Sequence, residues 1–493
     1  MIMKKINKLF ILAALVFTTT IGCDDYIDID PPYGLDAESY FNSPQDYENA
    51  LVASYDLLQT SYLSLWIGEI ASDNSIAGGE SVTDSEGLHQ IDGMNHGGVN
   101  NELRSLMRWM YAGITRVNYL YEHKDKLDFE GKDRILAEAA FLRAYYYFEL
   151  VKFFGDVPLI VDRRLSADEI ASTPRTPKAD VYAQIERDLQ FAAETLDWTS
   201  ADKGRATKGA ALSLLGKAYL YQNKFEDAAT TLDEVINDGP YELFDDYATL
   251  FRVVNEGSDE TIFDIQFVGI EGGGYGCFVC LEGNAAVGFH GIRGYEGPVY
   301  KDGNSYNLPT QDLVDEFENG DIRLEASILD IEAFKASQAP VEVKYVTGGG
   351  GHTGYYNNKY IKRADEPSQP DDDLTSPVNY KAIRYADVLL MAAEAHNRKP
   401  SANDDLARQY LNEVRDRADL GPVNASGEAL TNAIYHERRV ELAGEGHRFF
   451  DLVRTNKAAA EIDNFVVGKH EVFPIPQAEI DLAGAGWAQN PNY

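Results

Sequence analysis

The sequence predicts a mainly α-helical protein, with about four pairs of packed helices and one long, irregular, loop-rich excursion that carries a few short strands. Three observations predict this fold class. Apolar residues recur at helical spacing in several segments, one segment matches a helix-turn-helix repeat, and helical periodicity fades over residues 241–380. On this basis we divide the chain into the segments 1–22, 23–36, 37–240, 241–380 and 381–493.

Residues 1–22 have the composition of an export signal. Lysines near the start precede an apolar run over residues 9–17, which is too short to cross a bilayer as a helix. Cys23 follows at the position where signal peptidase II cuts a lipidated cysteine, so we expect a lipid on Cys23. Thr20 stands where Leu, Val or Ile is usual, and an ordinary signal peptide with a free Cys23 thiol is the alternative. Residues 23–36 are expected to form an acidic tether, and this segment favours the lipid anchor.

Composition excludes several classes of partner. The net charge of −36 argues against nucleic acid and against docking on anionic lipid, because both need a basic face. Hydrophobic residues make up 44% of the chain and 30 residues are Tyr, which suits a folded core with an aromatic surface. Membrane contact is therefore expected through the lipid anchor alone.

Cys277 and Cys280 are the remaining cysteines. We expect either a local disulfide or two unpaired surface thiols. A zinc site would need a second cysteine pair or a close histidine pair, and a redox motif would need a helix start, whereas this pair lies in a glycine-rich stretch.

The helical segments before residue 240 predict three of the four helix pairs. Helical spacing runs over residues 37–62, 103–123, 132–154 and 178–196. A tetratricopeptide-type unit, 34 residues in length, begins at Gly209, where small residues let two helices approach and larger apolar ones fill the seam. Its signature residues are Leu212, Leu215, Gly216, Tyr219, Ala228, Leu232 and Pro240. A looser copy spans 385–414, and the other pairs are 136–154 with 181–196 and 47–58 with 106–121.

The excursion over residues 241–380 is rich in Gly, Asp, Asn and aromatic residues. We expect short strands at 260–267 and 341–346. The glycine run 348–351 lacks the Gly-Lys-Ser/Thr of a phosphate loop, so we interpret it as a flexible turn. The acidic run 371–373 lacks the alternating ligand spacing of a calcium loop, and we expect no cofactor there. So long an irregular segment usually carries function or disorder, and its tyrosines favour function.

Four segments together resemble the SusD/RagB family of outer-membrane lipoproteins. They are 137–159, 204–211 leading into the repeat, 437–454, and the tail from 472–476 to 490–491. In the third of these, Glu437, Glu441, Glu445 and Arg448 have the spacing of helix-surface ion pairs, so we expect a structural network there and not a catalytic carboxylate pair.

The resemblance implies a glycan-binding protein that has no catalytic activity. Such a protein would be lipid-anchored at the outer membrane, face the cell surface, and deliver its ligand to a SusC-type TonB-dependent transporter. In this family, loops outside the repeats build the ligand surface, and the corresponding segments here are 66–100 and 275–306.

Sugar rings present an apolar face and a rim of hydroxyls, so their sites combine flat aromatic rings with polar side chains. The candidates are Trp66, Asp73, Asn74, Tyr275, Phe289, Arg293 and Tyr295. Trp109 lies in a helical pattern, and we expect it in the core.

Three alternatives stay open. Peptide binding, as in the RagB branch of the same family, would replace the glycan. A glycoside hydrolase would need two carboxylates that face each other across a cleft, and no motif singles out such a pair. A tetratricopeptide scaffold that binds only protein is the third, and this role is compatible with glycan binding.

Overall fold

The structure, a computed structural model, describes residues 40–269, 274–277, 280–367, 373–483 and 486–493. Cys23 and the acidic tether lie outside the described residues. The N-terminal region contains the helices α1 (Pro44–Asp56), α2 (Tyr62–Ile70), α3 (Glu86–Asp92), α4 (Asn101–Glu122), α5 (Lys132–Phe154), α6 (Ala167–Ser172), α7 (Lys178–Thr195), α8 (Lys208–Tyr221) and α9 (Phe225–Asp238).

Shorter elements follow in the excursion, and longer helices return after it. The helices are α10 (Ala285–His290), α11 (Gln311–Asp315), α12 (Arg323–Ser327), α13 (Ile331–Ser337), α14 (Tyr385–Arg398), α15 (Asp404–Arg417), α16 (Glu428–Glu441), α17 (Arg448–Arg454), α18 (Ala458–Glu461) and α19 (Gln477–Ala483). The strands are β1 (Ser75–Ala77), β2 (Thr261–Ile265), β3 (Asn307–Pro309), β4 (Ile328–Asp330), β5 (Tyr355–Asn357) and β6 (Tyr380–Arg384).

The long helices pack as the expected pairs: α1 with α4, α5 with α7, α8 with α9, and α14 with α15. Contacts of α4 with α5, α7 with α8, and α9 with α14 join the pairs into one array. A Cβ on Gly216 would lie 2.5 Å from the side chain of Leu232, so the close approach of α8 and α9 needs glycine there. The predicted fold class is confirmed.

The first helix differs from the predicted segment 37–62. It begins at Pro44, directly after Ser43, whose backbone N–H donates to the Asp46 carboxylate at 2.9 Å. A 3₁₀ turn (Leu57–Ser61) then leads into α2, in which every residue is buried. A helix buried on all sides has no amphipathic period, which is why the spacing rule missed α2. Trp66 therefore lies on a helix and not on a loop.

Antiparallel pairing of β1 with β3 and of β2 with β6 joins the excursion to the flanking regions, whereas β4 pairs with β5 within the excursion. Strand β2 confirms the strand expected at 260–267, and β6 runs directly into α14. The strand expected at 341–346 is wrong, because that segment makes only an isolated bridge between Lys344 and Glu296. Val341 is 55% exposed and Val346 is 42% exposed, so few apolar contacts hold this segment in a ladder.

Glu437 and Glu441 of α16, together with Glu445 just after it, lie in a buried ion network, where helix-surface pairs were expected. Arg384 donates to Glu441 at 2.9 Å and to Glu445 at 2.8 Å, and Arg323 donates to Glu437 at 2.6 Å. Burial alone would raise the pKa of Glu441, but the surrounding arginines outweigh it and hold that pKa far below its ordinary value. The arginine partners Arg384 and Arg323 lie on β6 and α12. The spacing of the glutamates along α16 therefore could not have revealed them. The network is structural, as expected.

Close contact between α2 and the turn before α17 fixes α2 in place. A Cβ on Gly68 would lie 2.1 Å from the carbonyl oxygen of Gly446, and the Gly446 N–H donates to Glu69 at 2.7 Å. Trp66 is thus carried by a helix whose far side is bonded to the C-terminal region. Among the helices that the structure describes, none is both long enough and apolar enough to cross a membrane.

Candidate functional site

A surface cleft of about 340 Å³ opens between α2, α4 and the excursion, a volume within the range of about 300–1,000 Å³ that small-molecule pockets occupy. Segments far apart in the sequence meet there. Its aromatic lining consists of Tyr62, Trp66, Trp109, Tyr275, Phe289 and Tyr306.

Three of these rings form a packed aromatic group around Trp66. Trp66 and Tyr306 are stacked, with centroids 5.8 Å apart and planes 11° apart. Phe289 meets Trp66 edge to face at 4.8 Å, and Tyr62 does so at 5.0 Å. Because Trp66 is only 5% exposed, this group forms the floor of the cleft, and its offset and edge-on contacts are the favourable ones for aromatic pairs.

Tyr275 is the exposed ring of the cleft, with 55% of its surface accessible. Its hydroxyl donates to Asp373 at 3.0 Å. Two residues further on, a disulfide joins Cys277 to Cys280, which decides between the two states expected for this pair. The hydrogen bond ties Tyr275 to Asp373, and the disulfide links two residues close to Tyr275 along the chain.

Trp109 also lines the cleft, which differs from the core position expected for it. It packs partly on the core, and it shares a face of α4 with Asn101 and Ser105, at intervals of four residues. Those polar neighbours at i−4 and i−8 are the sequence signal that Trp109 faces solvent. A face made of Asn, Ser and Trp is not a core face.

The polar groups of the cleft are Asp84, Ser85, Asn101, Glu102 and Ser105. Burial raises the pKa of the Glu102 carboxyl, and the nearby Glu86 raises it further. Burial also raises the pKa of Tyr306 above its ordinary value, and its hydrogen bond with Asp84 adds to this. Hydroxyl, amide and carboxylate groups thus surround the aromatic floor.

Trp66, Tyr275 and Phe289 are the predicted site residues that the structure brings together. Asp73 and Asn74 take a different role. The Asp73 carboxylate accepts two hydrogen bonds from Arg448, at 2.8 and 2.6 Å, and the Asn74 side-chain oxygen accepts one from Arg439 at 3.0 Å. These bonds tie the chain before β1 to α16 and α17, because the buried Arg439 and the largely buried Arg448 need acceptors. The structure does not bring Asp73 or Asn74 to the cleft.

Arg293 and Tyr295 also lie away from the cleft. Tyr295 is 6% exposed in a separate apolar cluster with Tyr300 and Tyr356, and its hydroxyl donates to the Pro298 carbonyl. The Arg293 guanidinium lies beside the glycine run, since a Cβ on Gly349 would be 2.4 Å from its Nη2. That run was expected to be a flexible turn, but the Gly350 N–H donates to the Gly79 carbonyl at 3.1 Å. Glycines are needed there so that the two backbones can approach.

One group of described side chains has the proximity for a metal site: Glu318, His436 and Glu437. Arg415 donates to Glu318 at 2.7 Å and to Glu437 at 2.8 Å, so both carboxylates are already bonded to a guanidinium. We assign this group to the ion network. The acidic run 371–373 lies mostly outside the described residues, and its last member, Asp373, accepts a hydrogen bond from Lys362 at 2.7 Å.

Fold and cleft together define a helical-repeat protein with an aromatic surface cleft. The profile of the SusD family matches residues 246–493, and the profile described as "Starch-binding associating with outer membrane" matches residues 25–220. The chain belongs to the SusD family, as its sequence motifs predicted.

Similar proteins cover nearly the whole chain. SusD-like protein P2 of Formosa agariphila is 30% identical, with 100% of each chain covered. The solved structure of a "Laminarin binding SusD-like protein" is 35% identical, with a TM-score of 0.82 over 91% of this chain and 99% of that one. Surface glycan-binding protein A from Bacteroides thetaiotaomicron, in complex with laminarihexaose, is 25% identical, with a TM-score of 0.80 over 91% of this chain and 100% of that one.

Proposed function

We propose that this protein binds an oligo- or polysaccharide at the cell surface and passes it, uncleaved, to a SusC-type TonB-dependent transporter. The observation that carries the proposal is the aromatic cleft. Trp109 and Tyr275 supply partly exposed rings at its sides, and polar groups surround the floor at Trp66. This is the combination that a sugar needs, because its C–H face packs on an aromatic ring while its hydroxyls seek hydrogen bonds.

The similar proteins support a glycan as the ligand. One solved structure is described as laminarin binding, and another contains laminarihexaose. Both resemble this chain over more than nine-tenths of its length. Their ligand is a glucan, so laminarihexaose is the first probe to use.

The lipid anchor belongs to the same proposal. We expect Cys23 to carry lipid, with residues 23–36 as a tether that keeps the body attached while it tilts on the transporter. The description of one matching family profile, which names the outer membrane, supports this location. Cys23→Ala is expected to release the protein from the outer membrane, and retention in cells without the transporter would contradict lipidation.

Isothermal titration with laminarihexaose, maltohexaose and cellohexaose tests the binding. We expect Trp109→Ala and Tyr275→Ala each to weaken binding by about 1–3 kcal/mol, a range taken from the stacking of flat rings on aromatic side chains. Trp198→Ala is the matched control, because Trp198 is partly buried and lies against Tyr241, outside the cleft. Unchanged affinity in both cleft variants would contradict the proposed site.

Other outcomes would replace the function. Release of reducing sugar from a bound glycan would favour the hydrolase, for which Asp84 and Glu102 are the carboxylates that line the cleft. Binding of peptides but of no glycan would favour the RagB-type function. Co-purification with a large outer-membrane transporter is expected, and its absence would contradict the delivery step.

A further inference from the structure

Three layers of backbone meet beside the cleft, and part of the glycine run forms the outer layer. We call residues 349–351 the strap. A Cβ on Gly349 would lie 2.6 Å from the Gly79 carbonyl oxygen, and a Cβ on Gly350 would lie 2.1 Å from the Gly78 carbonyl oxygen. Such distances are steric clashes, so the strap can lie this close to the middle layer only because it consists of glycine.

The inner layer is the backbone of Ser305 and Tyr306. The Gly79 N–H donates to the Ser305 carbonyl at 2.8 Å, and the Gly78 N–H donates to the Tyr306 carbonyl at 3.2 Å. A Cβ on Gly78 would lie 1.9 Å from the Ser305 carbonyl oxygen, so this side has no room for a side chain either. Gly78 and Gly79 are therefore held between two other segments of backbone.

The middle layer continues into one wall of the cleft. The Glu80 N–H donates to the Asp84 carboxylate at 2.9 Å, and both Asp84 and Ser85 line the cleft. Tyr306, from the inner layer, is the ring that stacks on Trp66 in the floor. Among the described residues that line the cleft, none belongs to the strap. Any effect of the strap on a ligand must therefore pass through this wall and this floor.

A side chain of α3 holds the same backbone. His89 Nε2 donates to the Gly78 carbonyl at 2.9 Å, and a Cβ on Gly350 would lie 2.9 Å from that nitrogen. The Gly78 carbonyl thus lies between the strap and His89. Like the strap, His89 is not one of the described residues that line the cleft.

We infer that the strap and His89 position the wall of the cleft, residues 78–85, and the Tyr306 ring for the ligand without touching the ligand themselves. This inference rests on the proposed glycan-binding function and deepens it, because it names residues that set the affinity from outside the cleft. The physical reason is preorganisation. A wall that is already ordered loses little conformational freedom when a ligand binds to it.

Gly350→Ala tests the strap, and Gly348→Ala is its matched control. In the described part of the chain, a Cβ on Gly348 would meet no atom within 4 Å, so the control makes the same substitution without the clash. Isothermal titration measures the affinity for laminarihexaose, and hydrogen exchange followed by mass spectrometry measures the local stability of residues 78–85.

For Gly350→Ala we expect binding to weaken about fivefold or more, because the wall is no longer preorganised. We also expect faster exchange over residues 78–85 and unchanged exchange in α14, while Gly348→Ala should match the wild type in both measurements. Faster exchange of the wall with wild-type affinity would overturn the inference, because the strap would then serve only the fold. Unchanged exchange would overturn it as well, since the strap would then not hold the wall.

His89 provides a second test, which does not depend on whether Gly350→Ala folds. His89→Leu removes the donor to the Gly78 carbonyl, whereas His89→Gln keeps an N–H donor on a side chain of similar reach. We expect about three- to tenfold weaker binding of laminarihexaose for His89→Leu and nearly wild-type binding for His89→Gln. Equal affinities of the two variants would overturn the role of His89, even if His89→Leu were less stable in urea.

The outcomes separate this inference from the function on which it rests. If the wild-type protein binds laminarihexaose and the variants Gly350→Ala and His89→Leu bind it equally well, the positioning role is refuted while glycan binding stands. If the wild-type protein binds neither laminarihexaose nor the other two hexasaccharides, the proposed function fails and the inference fails with it.

Discussion

Replacing Glu69 by Gln should stabilise the protein at alkaline pH and have little effect at acidic pH. Glu69 is fully buried on α2, and one of its oxygens accepts the Gly446 N–H at 2.7 Å while the other has no hydrogen-bond partner among the described residues. Burial raises the pKa of Glu69 from 4.5 to about 7, and the Gly446 N–H and the charge of Lys359 oppose this only in part.

The size of the effect follows from the two pKa values of Glu69. The folded-state pKa lies above that of the unfolded chain, so the stabilisation from the bound proton is fully present below pH 4.5 and is lost as the pH rises through about 7. Each pKa unit corresponds to about 1.4 kcal/mol. Between pH 5 and pH 8, the folded wild-type protein therefore loses about 2.5 kcal/mol through Glu69. A glutamine does not ionise and avoids this loss.

Urea denaturation at pH 5, 6, 7 and 8 measures the difference in unfolding free energy between Glu69→Gln and the wild type. The contributions of all other titrating groups cancel in this comparison. We expect the variant to gain about 2.5 kcal/mol relative to the wild type over this range. Glu130→Gln, which removes an exposed carboxylate, should show no such trend. A difference for Glu69→Gln that is independent of pH would show that Glu69 titrates normally, and would refute the reasoning.

Three further predictions concern packing, the ion network and the disulfide. Gly68→Ala should destabilise the protein by about 1–3 kcal/mol in urea denaturation, because its Cβ would lie 2.1 Å from the backbone oxygen of Gly446; wild-type stability would contradict this contact. Arg384→Met removes one of the basic partners of the buried Glu260, Glu441 and Glu445 and should cost about 3–5 kcal/mol. Arg163→Met, at a pair whose arginine is 52% exposed, should cost less than about 1 kcal/mol; equal costs would show that the network is hydrated. Reduction of the disulfide beside Tyr275 should weaken laminarihexaose binding. It should leave the melting temperature nearly unchanged, because the disulfide closes a very short loop. Unaltered affinity would show that the disulfide does not help to position Tyr275.

The sequence by itself determined the helix pairs, the family and part of the cleft. Helical periodicity and the small residues Gly216 and Ala228 are local signals. Residues three or four positions apart lie on the same face of a helix, whatever that helix packs against. Trp66, Tyr275 and Phe289 were singled out by residue type and by the loop-rich segments in or near which they lie. These choices needed no knowledge of which segments meet.

Tertiary structure alone decided which of the candidates share a cleft. Asp73 and Asn74 have the side chains of a sugar site, but arginines of α16 and α17, more than 360 positions away, take their oxygens. Trp109 was expected in the core because it lies in a helical pattern, but its face of α4 is left partly open beside Tyr275. The physical reason is the same in each case. The partners of a side chain lie on segments that approach it only when the chain folds. One strong ion pair or one opening in the packing therefore outweighs the role that residue type and spacing predict for that side chain.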